Sequence, residues 1–204
     1  MARRATNMRM SASARRSRYI ARKAVLLLMA IAAAAILATL DKGGVFGKRR
    51  GSDWSVYHNK TFHVVRVVDG DTILLAAPDG DSSTTTVRLW GVDTPETVKP
   101  DHPVEHFGPQ ASRFTTKLVA DEMVRIELER NTRDKYGRLL AFVYLPDGRM
   151  LNRVLIEQGY GYADPRFEHS HKDEFHRLHV QAKAAGVGLW KDVSTSDLPD
   201  YLKR

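Results

Sequence analysis

The chain has no cysteine, which excludes disulfides and every thiolate-bound metal site. The H-E-x-x-H pattern of helical zinc proteases is missing as well. No segment recurs at a fixed period, which removes solenoids and propellers. A further shortage is hidden by the net charge of +8. Residues 1–50 hold 12 of the 32 Lys and Arg and one of the 24 acids, Asp41, so that 51–204 keeps 20 basic and 23 acidic residues. That stretch is net −3. Any contact it makes with nucleic acid must come from a local patch rather than from bulk charge.

Charge is also absent from "AVLLLMAIAAAAILATL", Ala24 to Leu40. At 1.5 Å per residue such a helix covers roughly 25 Å, near the lower limit for a bilayer span. Arg15, Arg16, Arg18, Arg22 and Lys23 precede it, and the positive-inside tendency keeps that end in the cytoplasm. A cleaved signal peptide is the rival reading. The long lead and the poor cleavage match at Ile36-Leu37-Ala38 favour an uncleaved anchor. The expected organisation is therefore a basic cytoplasmic n-region (1–23), a transmembrane signal-anchor helix (24–40), a Gly- and charge-rich linker (41–60), a folded domain (61–192) and a tail (193–204).

Within the domain, "FHVVRVV" (62–68) and "TILLA" (72–76) flank Asp69-Gly70, a hairpin-type dipeptide. A second turn, 78–86, leads into "VRLWGV" (87–92), giving three strands in a meander. The spacing of Val104, Phe107, Ala111, Phe114 and Leu118 predicts a helix. "MVRIELE" (123–129) alternates strictly, with Val124, Ile126 and Leu128 inward, as a half-buried strand does. "LLAFVYL" (139–145) reads as a central strand. A short helix over 150–158 stops at Gly159. Phe175, Leu178, Ala182 and Ala185 mark the last helix. Five short strands beside a few helices make an α+β fold, and the strand count suits a five-stranded Greek-key barrel of OB type.

Three charged clusters stand out: Asp69-Gly70-Asp71-Thr72, Arg88 through Glu96, and "RDKYGR" (133–138). Asp71, Asp93 and Glu96 are oxygen donors without cysteine or histidine beside them, which suits a hard cation, Ca²⁺ or Mg²⁺. Pro95 holds Thr94 extended, so the Thr94 carbonyl points in a fixed direction. Arg88 and Asp93 are five apart and would face opposite sides of a straight strand. A bulge or strand end at Gly91 would reverse that parity. The plainer reading of "DTPE" is a solvated acidic turn. Arginines match phosphate oxygens as planar forks. Two of them with a metal and a carboxylate base would suffice to attack a phosphodiester. His169, His171, His176 and His179 are crowded, but their spacing is no familiar zinc pattern, and a solvated helix start is expected there.

"VVDGDTILL", "RLWGVDTPE", "FGPQASRFTTKLV", "RDKYGRLLAFVY", "LNRVLIEQGY" and "AKAAGVGLW" resemble, in order and spacing, the staphylococcal nuclease (thermonuclease) family. The likeness covers about residues 62–190. It implies a five-stranded OB-fold barrel with about three α-helices, here preceded by one N-terminal hydrophobic helix. It also implies Ca²⁺-dependent hydrolysis of DNA and RNA phosphodiesters at P–O5′, leaving 3′-phosphates. By the resemblance, Asp71, Asp93 and the Thr94 carbonyl hold the metal, and the catalytic positions are Arg88, Glu96 and Arg138. The expected product is a nuclease anchored in the membrane with its domain outside the cytoplasm, or secreted if the leader is cleaved. It acts on DNA or RNA as a monomer. The alternative is an inactive OB-fold module that binds nucleic acid. This sequence departs from the family in three places. The hairpin Ala76–Thr86 is longer. Asp101 and His102 stand where the best-known member has lysines. That member's nucleotide-side tyrosines fall at about Pro165 and Phe167, with Tyr160 and Tyr162 upstream.

Overall fold

One ten-residue strand, β1 (Lys60–Asp69), serves two neighbours. Its first half pairs with β5 (Met123–Glu127), Lys60 opposite Ile126 and His63 opposite Met123. Its second half pairs with β2 (Thr72–Leu75), from Val64 opposite Leu75 to Asp69 opposite Thr72. Register shifts at Val64/Arg66 and Val67/Asp69 supply the bend that such a changeover needs. β3 (Thr85–Leu89) continues antiparallel from β2, and β6 (Leu139–Tyr144) joins β3 in parallel and β5 antiparallel. The order β1-β2-β3-β6-β5 closes into a barrel, so these five strands have no free edge. The computed structural model describes residues 52–97 and 104–203, together with Lys23, Val25, Leu26 and Met29.

Alternation decides what fills the barrel. Val64, Ile73, Leu75, Val87, Leu89, Val124, Ile126, Leu139 and Val143 are buried in one core. Each contributes ~1.5–3 kcal/mol of burial. In β3, Val87 and Leu89 point in, which turns Thr86 and Arg88 outward. The strict alternation of 123–129 is kept, with Leu128 buried just past the strand.

Four α-helices accompany the barrel among the described residues. α1 (Asp53–Tyr57) is capped by Ser52 and lies in the stretch assigned above to the linker. Its burial there has a long-range cause. Asp53 accepts from Thr132 and Arg133, and the buried Tyr57 hydroxyl meets Thr85 Oγ1 at 3.0 Å. α2 (Gly108–Val119) carries Pro109 in its first turn and buries Ala111, Thr115 and Val119. The helical stripe was expected from Val104, but the helix begins four residues later. Phe107 has a φ of 67°, a left-handed conformation no α-helix passes through, and Val104 is exposed. The backbone there pairs with the loop after Asp93 instead, the Glu105 N–H donating to the Glu96 carbonyl at 2.9 Å. α3 (Leu151–Glu157) and α4 (Lys172–Ala185) pack on each other, and α3 also packs on β6.

A buried asparagine locks α3 to the barrel. Asn152 Oδ1 accepts from the Val143 N–H at 3.0 Å, and its Nδ2 donates to the Trp90 and Ala141 carbonyls at 3.0 and 3.3 Å. The Ala141 carbonyl also accepts from the Trp90 N–H at 2.9 Å. Leaving a buried backbone group such as the Val143 N–H without a partner would cost ~1–3 kcal/mol.

Residues 1–50 and 51–204 form separate units. The expected anchor at 24–40 lies outside the described residues except for Val25, Leu26 and Met29, which are helical and exposed. No helix among the described residues is long and apolar enough to cross a membrane.

Candidate active site

β3 ends at Leu89, and the chain turns at Trp90-Gly91 before a two-residue strand, β4 (Val92–Asp93), pairs with β7 (Tyr162–Ala163). Gly91 makes the turn possible. Its φ is +73°, and a Cβ there would run into the His169 ring. The interruption reverses the parity of the strand. Arg88 and Asp93, on opposite faces of an unbroken strand, meet on one side, with Arg88 Nη2 donating to Asp93 Oδ1 at 2.5 Å.

The other arm of the guanidinium, Nη1, donates to Asp71 Oδ1. Asp71 reaches this point because the β1–β2 turn folds back beside β3, where Thr72 faces Arg88. Its second oxygen accepts from both the N–H and the hydroxyl of Thr94, at 2.8 and 3.1 Å. Asp71 is fully buried. Gly70 allows the approach, since a Cβ on it would lie 2.7 Å from Thr94 Oγ1. Asp69 binds the other side of the same loop, accepting from Thr97 Oγ1 at 2.7 Å. The loop is further held by Glu105, whose carboxylate accepts from the Glu96 N–H at 3.0 Å. Glu105 has no counterpart in the motif reading. Only its acid character in a Pro-flanked loop was visible.

Two carboxylates, Asp71 and Asp93, thus bond one guanidinium, and the charge of Glu96 also acts on it. Burial pushes the Asp71 carboxyl up to about 6, against the pull of Arg88. Glu96 is pushed to about 7, by burial first and then by Asp69 and Asp71. Burial works against the charge of Arg88, but Asp71 and Asp93 outweigh it and raise its pKa. The site therefore carries more negative charge than its own cation balances. Its donors are all oxygens, and two carboxylates converge on one positive centre. This chemistry fits a hard divalent ion. Among the described residues, no group of three or more acids or histidines is already in metal-holding geometry.

A family profile described as "Staphylococcal nuclease homologue" matches residues 86–192, the stretch that carries Arg88, Asp93, Glu96 and Arg138. A thermonuclease of Staphylococcus hyicus is 33% identical over 166 residues, covering 81% of this chain and 96% of that protein. The chain belongs to the staphylococcal nuclease family. A thermonuclease of Staphylococcus intermedius is 42% identical over 137 residues, 67% of this chain and 77% of its own length. Endonuclease YncB of Bacillus subtilis (strain 168) is 34% identical over 148 residues, 70% of this chain and 68% of its own.

Against the residues that the staphylococcal nuclease resemblance singled out, the structure brings together Asp71, Arg88, Asp93 and Thr94, with Glu96 on the same loop. Arg138 stands apart. Its Nε donates to Asp134 Oδ2 at 2.6 Å, and its guanidinium lies over the Tyr136 ring. The β3–β6 register places Leu140 opposite Arg88, so residue 138, just before β6, lies about 7 Å back toward the start of β3. Arg133, in the same sequence cluster, is a structural hub between Asp53 and Asp79.

The crowded histidines form no group of three or more in metal-holding geometry among the described residues, and three of the four are not solvated as expected. His169 and His171 pack against Phe142 and Phe175. His179 sits edge-on to Trp190 and accepts from the Ala163 N–H at 3.2 Å. Burial pushes His179 down to about 4, so it packs as a neutral ring. Only His176 is exposed. Tyr160 stacks on Phe114 and Tyr162 is buried, while Phe167 is exposed beside Trp90. Asp101 and His102 lie outside the described residues.

Proposed function

We propose that this chain is a Ca²⁺-dependent nuclease that hydrolyses DNA or RNA. That it is a phosphodiester-hydrolysing enzyme follows from its family and from relatives named thermonuclease and endonuclease. The observation that carries the site assignment is the convergence of Asp71 and Asp93 on the Arg88 guanidinium, with Thr94 clipped to Asp71.

In this reading Asp71, Asp93 and the Thr94 carbonyl hold Ca²⁺. The bound ion supplies positive charge that offsets the charge building on the phosphate oxygens. Arg88 presents a permanently charged fork to the same oxygens. Arg138, just before the strand that pairs with β3, binds the phosphate from the other side once a substrate draws it from Asp134. Glu96, whose carboxyl lies near neutrality, takes the proton from the attacking water, as a base matched to the working pH should. The water oxygen forms the new bond to phosphorus, the P–O5′ bond breaks, the leaving O5′ takes a proton from solvent to become a hydroxyl, and the other product keeps a 3′-phosphate. The enzyme acts as a monomer.

We further propose that the uncharged run 24–40 tethers the domain outside the cytoplasm, supported by the five cationic residues between Arg15 and Lys23 and the positive-inside tendency.

The test is cleavage of labelled single- and double-stranded DNA and RNA, in Ca²⁺ or in EGTA. Cleavage should need Ca²⁺, stop with EGTA and not return with Zn²⁺. Binding without cleavage in Ca²⁺ would favour the inactive module. Full activity in chelator, unchanged by Asp71→Ala, would remove the metal site.

A further inference from the structure

Asp93 has a partner from a distant part of the chain. The segment Asp200–Leu202 forms a 3₁₀ turn, and Tyr201 Oη donates to Asp93 Oδ2 at 2.7 Å across 108 residues. The same ring lies under the Arg166 guanidinium, 4.0 Å from its centroid. Arg166 is itself held by Asp164 at 2.6 Å and reaches Asp93 Oδ2 only at 3.4 Å. The two oxygens of Asp93 therefore have different duties. Oδ1 faces Arg88 and, through it, Asp71. Oδ2 faces Tyr201.

We propose that Tyr201 is a positioning residue for Asp93, whose hydroxyl fixes the carboxylate so that Oδ1 is presented toward Asp71. The proposal rests on the reading of Asp93 as a Ca²⁺ ligand. A carboxylate bonded on one oxygen cannot swing freely, and Arg166, stacked on the same ring, lies nearer to Asp164 (2.6 Å) than to Asp93 (3.4 Å). Hydrogen bonds from behind a ligating carboxylate hold it in orientation, and losing one costs about 10- to 100-fold in metal affinity. Tyr201 then lines the Asp93 side of the active site.

The experiment is Ca²⁺ titration of the full chain by calorimetry, for the unsubstituted protein, Tyr201→Phe and Leu202→Ala, with thermal melts in EGTA. Tyr201→Phe keeps the ring and its stack and removes only the hydroxyl. Its Ca²⁺ Kd should rise about tenfold or more, its melt in EGTA should stay unchanged, and its turnover should recover at saturating Ca²⁺. Leu202→Ala, which thins the same turn but keeps the hydroxyl, should bind Ca²⁺ as the unsubstituted chain does. Equal Ca²⁺ affinity in Tyr201→Phe overturns the proposal while leaving the metal reading intact. Equal weakening by Leu202→Ala also overturns it, since packing of the turn would then account for the effect. Faster cleavage by Tyr201→Phe with unaltered affinity would make the segment a strap over the site. If the unsubstituted chain takes up no Ca²⁺, the metal reading fails and this proposal with it.

Discussion

Thr94 gives both its backbone N–H and its hydroxyl to a single oxygen of Asp71, 23 residues earlier. The clip joins the β1–β2 turn to the loop that leaves β4, and Gly70 sits beneath it. A Cβ at residue 70 would lie 2.7–3.0 Å from three atoms of Thr94. Gly70→Ala should push Thr94 off Asp71. The expected result is a loss of ~1–3 kcal/mol in stability, as for other overpacked sites, with Ca²⁺-dependent cleavage reduced at least tenfold. Denaturant melts and initial rates check it. A variant as stable and active as the parent would show the loop free to move away.

Arg88 bridges two carboxylates with separate nitrogens, which an ammonium cannot do. Arg88→Lys should lower turnover by on the order of 10²–10³, the scale for one preorganised electrostatic donor. Glu96→Gln should cost as much or more, because it removes the proton acceptor. Single-turnover cleavage of a short oligonucleotide, with circular dichroism as the folding check, measures both. Cleavage at the parent rate by folded variants would displace the nuclease mechanism.

Glu96 adds a pH signature. Its folded-state pKa of about 7 lies above its ordinary value, so the folded form holds this proton more tightly than the unfolded form. The stability from that proton is complete below the ordinary carboxylate range and is lost as pH rises through about 7. In Ca²⁺-free buffer the Tm of Glu96→Gln should therefore gain on that of the parent as pH climbs from about 5 to about 8. Comparing the two proteins removes the opposite trend from His179, which is depressed to about 4. A difference that stays flat with pH would place Glu96 away from the other acids.

The cluster "RDKYGR" divides into two roles. Arg133 donates to both oxygens of Asp53 at 2.9 and 2.7 Å, to Asp79 Oδ2 at 2.5 Å and to the Gly137 carbonyl at 2.9 Å. Arg133→Met should cost ~1–3 kcal/mol from lost charged hydrogen bonds. That corresponds to about 3–10 °C in Tm, with turnover unchanged. Arg138→Lys should do the reverse, leaving Tm in place and lowering turnover by on the order of 10²–10³. Thermal melts paired with turnover numbers separate the two, and the opposite pattern would exchange the roles.

Short-range features were legible in the sequence because their causes are short-range. The alternation of Val124, Ile126 and Leu128 sets the inward face of β5 from pleat geometry alone, and Asp69-Gly70 marks the first hairpin. The acids and arginines of the site were visible as types in ordered motifs, and these carried the family. Contacts between segments were decided only by the tertiary structure. The periodic stripe ran on to Val104, yet Phe107 is left-handed because Glu105 pairs with Glu96. Asn152 looked like any polar helix residue until three backbone groups from two segments converged on it. The Asp93 parity depended on a turn at Gly91, and the ties of Asp53 to Arg133 and of Asp93 to Tyr201 span 80 and 108 residues. Propensity and periodicity act over a few residues of chain, whereas these pairings exist only after the barrel has closed and brought the distant segments together.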